Sequence, residues 1–155
     1  MTPEEDLKIL AQEAQKIKDG LIVETGTHHG NSAKVLAKNS INSTVITIDV
    51  QDIHRDLPFN VLFLWGDSKD VVKKWNRPID LLFIDGGHDY LTVQSDFFGF
   101  GKWVKPKGTI LLHDYKSGRN ADVTRFVHNH LNNKKYKAIG KLGEMLYKFK
   151  KCVQE

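Results

Sequence analysis

The segment FIDGGHDY, residues 83–90, combines three features that could do chemistry. An apolar run ends on Asp85, two glycines follow, and His88 comes directly after them. A turn needs glycines, which adopt backbone conformations closed to other residues, but it needs neither the carboxylate before them nor the imidazole after them. An imidazole with its ordinary pKa of about 6.5 accepts a proton from a hydroxyl near neutral pH. The segment therefore indicates a site in which His88 is a candidate general base beside Asp85.

Acidic residues recur where the predicted strands end. The strand-end residues are Glu24, Asp49, Asp67 and Asp85, with His113 and Asp114 after the fifth strand. Turn chemistry explains an aspartate at any one such position. In open α/β sheets, however, the ligand crevice lies beyond the carboxyl ends of the strands. An acid at every end therefore predicts a crevice rich in hydrogen-bond acceptors.

Strand and helix patterns alternate along the chain and must position these residues. The predicted strands are 21–24, 43–49, 60–67, 79–85 and 109–114. The predicted helices run from Pro3 to before Gly20 and over 31–39, 68–75, 89–103 and 120–131. The segment 135–150 predicts an antiparallel hairpin around two glycines. Together they predict a Rossmann-like three-layer α/β sandwich with a mostly parallel sheet and a C-terminal antiparallel hairpin strand.

Composition and charge narrow the class of protein. The 155 residues suit one domain, 1–155, without a separate lid, and no apolar run approaches the roughly 20 residues of a membrane span. The acidic N-terminus lacks signal-peptide features, and a single cysteine, Cys152, fits a reducing compartment, so we predict a cytoplasmic protein. Residues 1–101 carry 10 Lys/Arg and 15 Asp/Glu, whereas residues 102–155 carry 13 and 4. Because the lysines are scattered, a solvated surface is favoured over a nucleic-acid site, which stays an alternative.

The first predicted strand turn restricts the cofactor. It reads ETGTHHGNS, with Gly26 and Gly30 but with His28 where a dinucleotide fingerprint has a second close glycine. A phosphate-binding G-x-x-x-x-G-K-[ST] loop is also missing from the sequence. A cationic ligand with ribose hydroxyls and an adenine suits the acidic crevice better. S-adenosylmethionine is such a molecule.

Three segments carry a family resemblance: ETGTHHGNS, the strand that ends on Asp49, and DLLFIDGGHDY followed by GTILLHDY. In their order and spacing the chain resembles, over roughly residues 18–150, class I S-adenosylmethionine-dependent methyltransferases. It is most similar to the small O-methyltransferases and to the group that includes cephalosporin hydroxylase-type proteins. The resemblance implies methylation of a hydroxyl on a small molecule or glycan, away from membranes.

The resemblance also assigns residues to the cofactor. The implied set is Glu24, Gly26, Thr27, Gly30, Ser32, Asp49, Gly66, Asp67, Ser68 and Asp85. The two turn glycines would let the backbone lie against the methionine part, and Ser32 would bind its carboxylate. Glu24 would sit under the amino group or sulfonium, and Asp49 would hold the ribose diol. Asp67 or Ser68 would contact adenine.

The catalytic residue and the metal follow from the same comparison. His88 stands where relatives have a lysine base, and Asp85 stands where they have a metal ligand. Relatives supply two further ligands after the fifth strand, where this chain has His113 and Asp114. Carboxylates suit Mg²⁺, whereas an added imidazole favours Zn²⁺, Fe²⁺ or Mn²⁺. The alternative without a metal is that Asp114 orients His88.

Other interpretations stay open. Without a lid, either the site is open to a bulky acceptor or a second subunit of a homo-oligomer covers it. Segments 50–59 and 115–120 are candidate rims, and Tyr115 and Arg119 could recognise an anionic substrate. His28 and His29 could shape the site, whereas His128 and His130 are expected on the surface. The remaining alternative to an enzyme is a non-catalytic subunit that binds S-adenosylmethionine.

Overall fold

The computed structural model describes residues 1–53 and 55–153. Its helices are α1 (Glu4–Gln15), α2 (Asn31–Asn39), α3 (Ser68–Lys73), α4 (Tyr90–Gly101) and α5 (Ala121–Asn129). Its strands are β1 (Leu21–Thr25), β2 (Thr44–Asp49), β3 (Val61–Trp65), β4 (Ile79–Ile84), β5 (Val104–Leu112), β6 (Tyr136–Leu142) and β7 (Leu146–Lys151). The predicted alternation of strands and helices is therefore confirmed, with ends that differ by a few residues.

The strands form one sheet in the order β3-β2-β1-β4-β5-β7-β6. Strands β1 to β5 pair in parallel, whereas β7 pairs antiparallel with β5 and β6 pairs antiparallel with β7. The chain builds outward from β1 to β3 and then returns to place β4 on the other side of β1. That reversal is the switch point at which ligands of open α/β sheets bind. The predicted fold class is confirmed.

Helices cover both faces of the sheet, so the central strands are buried on both sides. All five residues of β1 are buried. On one face, Phe97 of α4 and Phe126 of α5 pack with their ring centroids 5.1 Å apart. On the other face, Leu10 of α1 and Leu36 of α2 pack with buried side chains of the central strands. Burial on both faces explains why these strands read as continuous apolar runs.

Strand β5 begins earlier than predicted. The motif PKG at 106–108 was expected to separate a helix from a strand beginning at Thr109, but β5 already begins at Val104. The register with β4 shifts between Ile79 and Leu81, whose partners are Val104 and Thr109. Lys107, with φ 66°, lies within this irregularity. A bulge therefore lets β5 continue through Pro106 and Gly108, residue types that usually interrupt a strand.

None of the helices formed by the described residues is long and apolar enough to cross a membrane.

Candidate active site

Two neighbouring cavities open at the carboxyl ends of the parallel strands. The narrow cavity, of about 400 Å³, lies over the ends of β2, β3 and β4 and includes Asp49 and Asp67 in its wall. The wide cavity, of about 850 Å³, lies over the ends of β4 and β5 and is bounded by segment 114–120 and by the start of α2. Gly26, His28 and His88 line both cavities. The two spaces therefore meet at the glycine turn and at the predicted base.

The glycine turn after β1 has a backbone that only particular residues tolerate. Gly26 has φ 90°, and a Cβ there would overlap the carbonyl of Asp85. Gly30 has φ 83° and precedes α2, whose first turn has no side-chain cap. Asn31 and Ser32, the first residues of α2, line the wide cavity. Uncapped N–H groups at a helix N-terminus attract anions. The turn therefore offers both close backbone approach and an anion-binding helix end.

Glu24 lies beneath this turn rather than in a cavity. It is 0% exposed, and its carboxylate accepts hydrogen bonds from the hydroxyls of Ser32 and Thr47. Burial raises the pKa of Glu24 to about 8, although those two hydroxyls oppose the rise. Thr27 is also buried, 2.7 Å from Thr47 between their hydroxyl oxygens. In this geometry Glu24 supports Ser32 from beneath the turn, and its predicted place under the donor's amino group or sulfonium stays a prediction.

Asp49 closes β2 and faces the narrow cavity. One carboxylate oxygen accepts a hydrogen bond from the backbone N–H of His28 at 2.8 Å, and the other accepts one from Gln51 at 2.9 Å. The carboxylate thereby ties the glycine turn to the loop after β2. The remaining lone pairs of its two oxygens are the kind of acceptors that a ribose diol needs.

Arg55 was missed by sequence reasoning. Its side chain is 2% exposed and lies 3.8 Å from the Asp49 carboxylate. It donates to the backbone carbonyls of His28, Gln51 and Ile53 and lies over the ring of Phe63. It therefore holds the loop against the glycine turn. One arginine in a rim segment with two aspartates was the only signal in the sequence.

The far end of the narrow cavity is formed by the start of α3. Gly66, Asp67 and Ser68 all line it, and Asp67 caps α3 by accepting a hydrogen bond from the Lys69 N–H at 2.9 Å. The predicted adenine-side residues are thus brought together. The Gly66 N–H donates to the Asp49 carbonyl at 2.9 Å, which joins this end to the end of β2.

A buried acid lies near this end of the narrow cavity. Asp96 of α4 is 0% exposed, and neither of its carboxylate oxygens has a hydrogen-bond partner among the described residues. Burial raises the pKa of Asp96 to about 6, although the nearby Ser68 and Thr25 hydroxyls favour the ionised form. Sequence reasoning missed it, although an acid inside the apolar run SDFFGF was a signal.

The wide cavity contains a cluster of two imidazoles and two carboxylates. His88 Nε2 lies 2.6 Å from Asp114 Oδ2 and 4.0 Å from Asp85 Oδ1. His113 Nδ1 lies 3.2 Å from Asp85 Oδ1 and 3.4 Å from Asp114 Oδ2. The structure thus brings together all four residues that the sequence placed at the ends of β4 and β5.

Asp6 of α1 joins this cluster from the opposite side and was also missed. It is 0% exposed and accepts hydrogen bonds from the N–H groups of Glu144 and Met145, in the turn between β6 and β7. One of its oxygens lies 3.3 Å from His113 Nε2. An acid in the first turn of α1, beside Glu4 and Glu5, is accounted for by the helix dipole alone. Its distance along the chain from His113 hid the contact.

The charges within the cluster support one another. The contact with Asp114 raises the pKa of His88 above its ordinary value. Burial lowers the pKa of His113, but Asp114 and Asp85 outweigh it and raise the pKa to about 10. Burial opposes ionisation of Asp114, but both imidazoles hold the pKa of that carboxyl well below its usual range. The His88 nitrogen nearest Asp114 therefore carries a proton, which leaves Nδ1 as the free basic position.

The same cluster fits a divalent cation. Asp85, His113 and Asp114 each offer one ligand atom within 4.8 Å of the others. A metal-binding histidine normally has a carboxylate beside its second ring nitrogen, and Asp6 lies 3.3 Å from His113 Nε2. The donor set and its support therefore match the predicted metal ligands. Two carboxylates and one imidazole admit Mg²⁺ and favour the transition metals.

The sheet order and the crevice at its switch point are those of a Rossmann-like ligand-binding domain. Residues 23–115 match a protein family described as a methyltransferase domain, and the chain belongs to that family. This confirms the methyltransferase family predicted from the sequence.

Known proteins similar to this chain include one from Acanthamoeba polyphaga mimivirus that is described as uncharacterized. It is 30% identical over 121 residues, which are 66% of this chain and 55% of that protein. The chain therefore spans about half the length of this relative.

Solved structures share the fold at low identity. The O-methyltransferase from Bacillus cereus, in complex with S-adenosylhomocysteine, has a TM-score of 0.77 at 19% identity, covering 99% of this chain and 83% of that one. The O-methyltransferase of tomaymycin synthesis from Streptomyces achromogenes, bound to S-adenosylmethionine, has a TM-score of 0.75 at 16% identity, with coverages of 99% and 82%. An rRNA methylase from Streptococcus thermophilus has a TM-score of 0.72 at 16% identity, covering 99% of both chains.

Proposed function

We propose that this protein transfers the methyl group of S-adenosylmethionine to a hydroxyl of a small-molecule or glycan acceptor. The observation that carries the proposal is the meeting of the two cavities at Gly26, His28 and His88. A donor held in the narrow cavity would present its methyl group where an acceptor in the wide cavity meets a base. The two O-methyltransferase structures similar to this fold hold the donor or its demethylated product, which supports the same use here.

The residues around the narrow cavity fit the donor. Gly26 lines both cavities, and without a side chain it lets the turn pack against the Asp85 carbonyl beside the donor. The uncapped start of α2 with Ser32 lies on the adjoining wide-cavity side and suits the carboxylate of the methionine part. Asp49, whose oxygens face the cavity, suits the ribose diol. Asp67 and Ser68, at the far wall, suit the adenine.

The acceptor needs alignment and loss of one proton. In an in-line displacement the acceptor oxygen forms a bond to the methyl carbon while the sulfur–carbon bond breaks, so no covalent protein intermediate is needed. S-adenosylmethionine supplies the electrophilic methyl group when bound. His88 Nδ1 takes the hydroxyl proton, and Asp114, 2.6 Å from His88 Nε2, stabilises the imidazolium that results.

Asp85, His113 and Asp114 would hold a divalent ion in the same cavity. Such an ion would act as a Lewis acid that lowers the pKa of the acceptor hydroxyl. In a reaction without a metal, Asp114 and Asp85 would instead hold His113 as a cation and orient His88.

Calorimetric titration with S-adenosylhomocysteine tests the donor assignment. Wild type is expected to bind it with a Kd in the micromolar range, and Asp49→Ala is expected to bind at least about tenfold more weakly, because the ribose loses its acceptors. Asp52→Ala is the matched control, since Asp52 is exposed on the same loop and lines neither cavity. Thermal melting of each variant separates lost contacts from lost folding. Absence of binding to wild type would overturn the proposed function.

A further inference from the structure

The outer wall of the wide cavity, formed by segment 114–120, carries cationic side chains. Lys116 and Arg119 both line it and are both exposed. Among residues 1–53 and 55–153, neither side chain takes part in an ion pair. The neighbouring Ser117 and Asn120 also line the cavity and add neutral hydrogen-bonding groups.

The backbone of this wall is held in an uncommon conformation. Asp114 has φ 66° and Lys116 has φ 58°, so two non-glycine residues on either side of Tyr115 lie in the left-handed region. Tyr115 is only 6% exposed, and its N–H donates to the Met145 carbonyl at 3.0 Å. The Lys116 N–H donates to the Thr124 hydroxyl at 2.8 Å. Because Tyr115 is buried and held by these contacts, its neighbours Asp114 and Lys116 both line the cavity.

Tyr115 therefore anchors the wall and does not line the cavity, which corrects the expectation that it recognises substrate. Lys116, which lines the cavity, becomes the candidate for substrate recognition instead. Unfavourable left-handed conformations persist where the surroundings fix them, and they concentrate at functional sites.

The charges of the wide cavity are arranged in two zones. Its acids, Asp85 and Asp114, already lie against His88 and His113. The cations of the outer wall have no such partners among the described residues. The narrow cavity is lined instead by two acids, Asp49 and Asp67, and one lysine, Lys69, with Arg55 behind Asp49 at 3.8 Å. An anionic acceptor is therefore favoured in the wide cavity.

We propose that the acceptor is a hydroxyl compound that carries a carboxylate or phosphate, an inference that rests on the proposed methyl transfer. Lys116 and Arg119 bind the oxyanion, and its hydroxyl lies at His88. Charge-assisted hydrogen bonds from two cations supply the selectivity over neutral analogues. A cavity of about 850 Å³ has the size of a small-molecule site, which favours a small acceptor over an RNA backbone.

Matched probe pairs test this selectivity in calorimetric titrations of protein saturated with S-adenosylhomocysteine. The pairs are glucose 6-phosphate against glucose and 4-hydroxybenzoate against 4-hydroxybenzyl alcohol, which distinguish phosphate from carboxylate. At least one anionic probe is expected to bind tenfold or more tightly than its neutral partner. In the double variant Lys116→Gln and Arg119→Gln, that advantage is expected to fall at least tenfold, while affinity for S-adenosylhomocysteine stays within twofold.

A second double variant, Lys134→Gln and Lys137→Gln, removes the same charge from exposed residues that line neither cavity. It is expected to keep the anion preference. Equal losses in both double variants, or no preference for either anionic probe, would overturn the inference. Binding of a single-stranded RNA that depends on Lys134 and Lys137 while the probes fail would also overturn it.

Failure of the anion preference is distinguishable from failure of the proposed function. S-adenosylhomocysteine binding is measured first, and the anion titrations are repeated without it. A protein that binds the product but shows no anion preference keeps the proposed function and loses only the inference about its acceptor.

Discussion

The two cavities are built in different ways. The narrow cavity is made by neighbouring strand ends, and its key acid, Asp49, is held by backbone N–H groups of the turns beside it. The wide cavity is made by side chains from distant parts of the chain, because Asp6, His88 and His113 come from α1 and from the segments after β4 and β5. The narrow cavity therefore depends on backbone geometry, whereas the wide cavity, the proposed acceptor side, depends on side-chain contacts.

Variants can therefore separate the two regions. Changes in the acceptor-side cluster are expected to affect turnover and leave the donor bound, and changes in the glycine turn are expected to affect donor binding itself.

The largest expected effect is on turnover in His88→Ala. Loss of a general base lowers kcat by roughly 10² to 10⁴-fold, while affinity for S-adenosylhomocysteine should stay within twofold. Because Asp114 raises the pKa of His88 and only the neutral imidazole accepts a proton, wild-type activity should rise with pH through a value above the ordinary histidine pKa. That limb of the pH profile should vanish in the variant. Full activity in His88→Ala would place the base elsewhere.

The second largest effect is expected from a substitution in the glycine turn, on both stability and donor binding. In Gly26→Ala the new methyl group would overlap the Asp85 carbonyl at a φ of 90°, so we expect the free energy of unfolding to fall by about 3 kcal/mol and donor binding to be lost. Gly118→Ala is the matched control, because a Cβ there meets nothing within 4 Å. Denaturant unfolding and calorimetry measure both variants. Equal behaviour of the two would contradict a role for backbone approach at the donor side.

The smallest effect concerns the buried acid near the narrow cavity. The folded protein binds a proton at Asp96 up to a pKa of about 6, above the ordinary 3.8, so this contribution to stability is complete below 3.8 and is lost as pH rises through 6. Asp96→Asn copies the neutral form. It should therefore raise the free energy of unfolding by about 1–2 kcal/mol at pH 8 and change little at pH 4.

Asp70→Asn makes the same charge change on an exposed side chain of α3 and should move the free energy of unfolding by less than about 0.5 kcal/mol. Equal unfolding free energies of Asp96→Asn and wild type at pH 8 would show that the ionised Asp96 carboxylate does not destabilise the folded protein.

Local signals in the sequence located residues that line the narrow cavity. A glycine turn, an acid at a strand end and a helix cap each lie within a few residues of the element that positions them, so Gly26, Asp49 and Asp67 could be found by pattern. The parallel sheet followed from the alternation of strands and helices along the chain. The hairpin glycines indicated its antiparallel end.

Long-range contacts were not predicted. Asp6 contacts His113 only after α1 has packed against the folded sheet. Arg55 contacts Asp49 only after the loop that follows β2 has folded. Glu24 was expected at the crevice because it ends a predicted strand. Its hydrogen bonds from Ser32 and Thr47 hold it beneath the glycine turn. Partners of this kind are fixed by the tertiary structure and leave no local pattern.

The contact of Asp6 with Glu144 and Met145 closes a loop over nearly the whole described chain. Contacts between such distant positions carry a large entropic cost of closure, and chains rich in them fold slowly. We expect the donor side to take shape during synthesis from the first hundred residues, whereas the proton-transfer machinery must wait for the β6–β7 turn to emerge. A ribosome-bound fragment that ends before Glu144 would then have the glycine turn in place without the contacts that fix Asp6 beside His113.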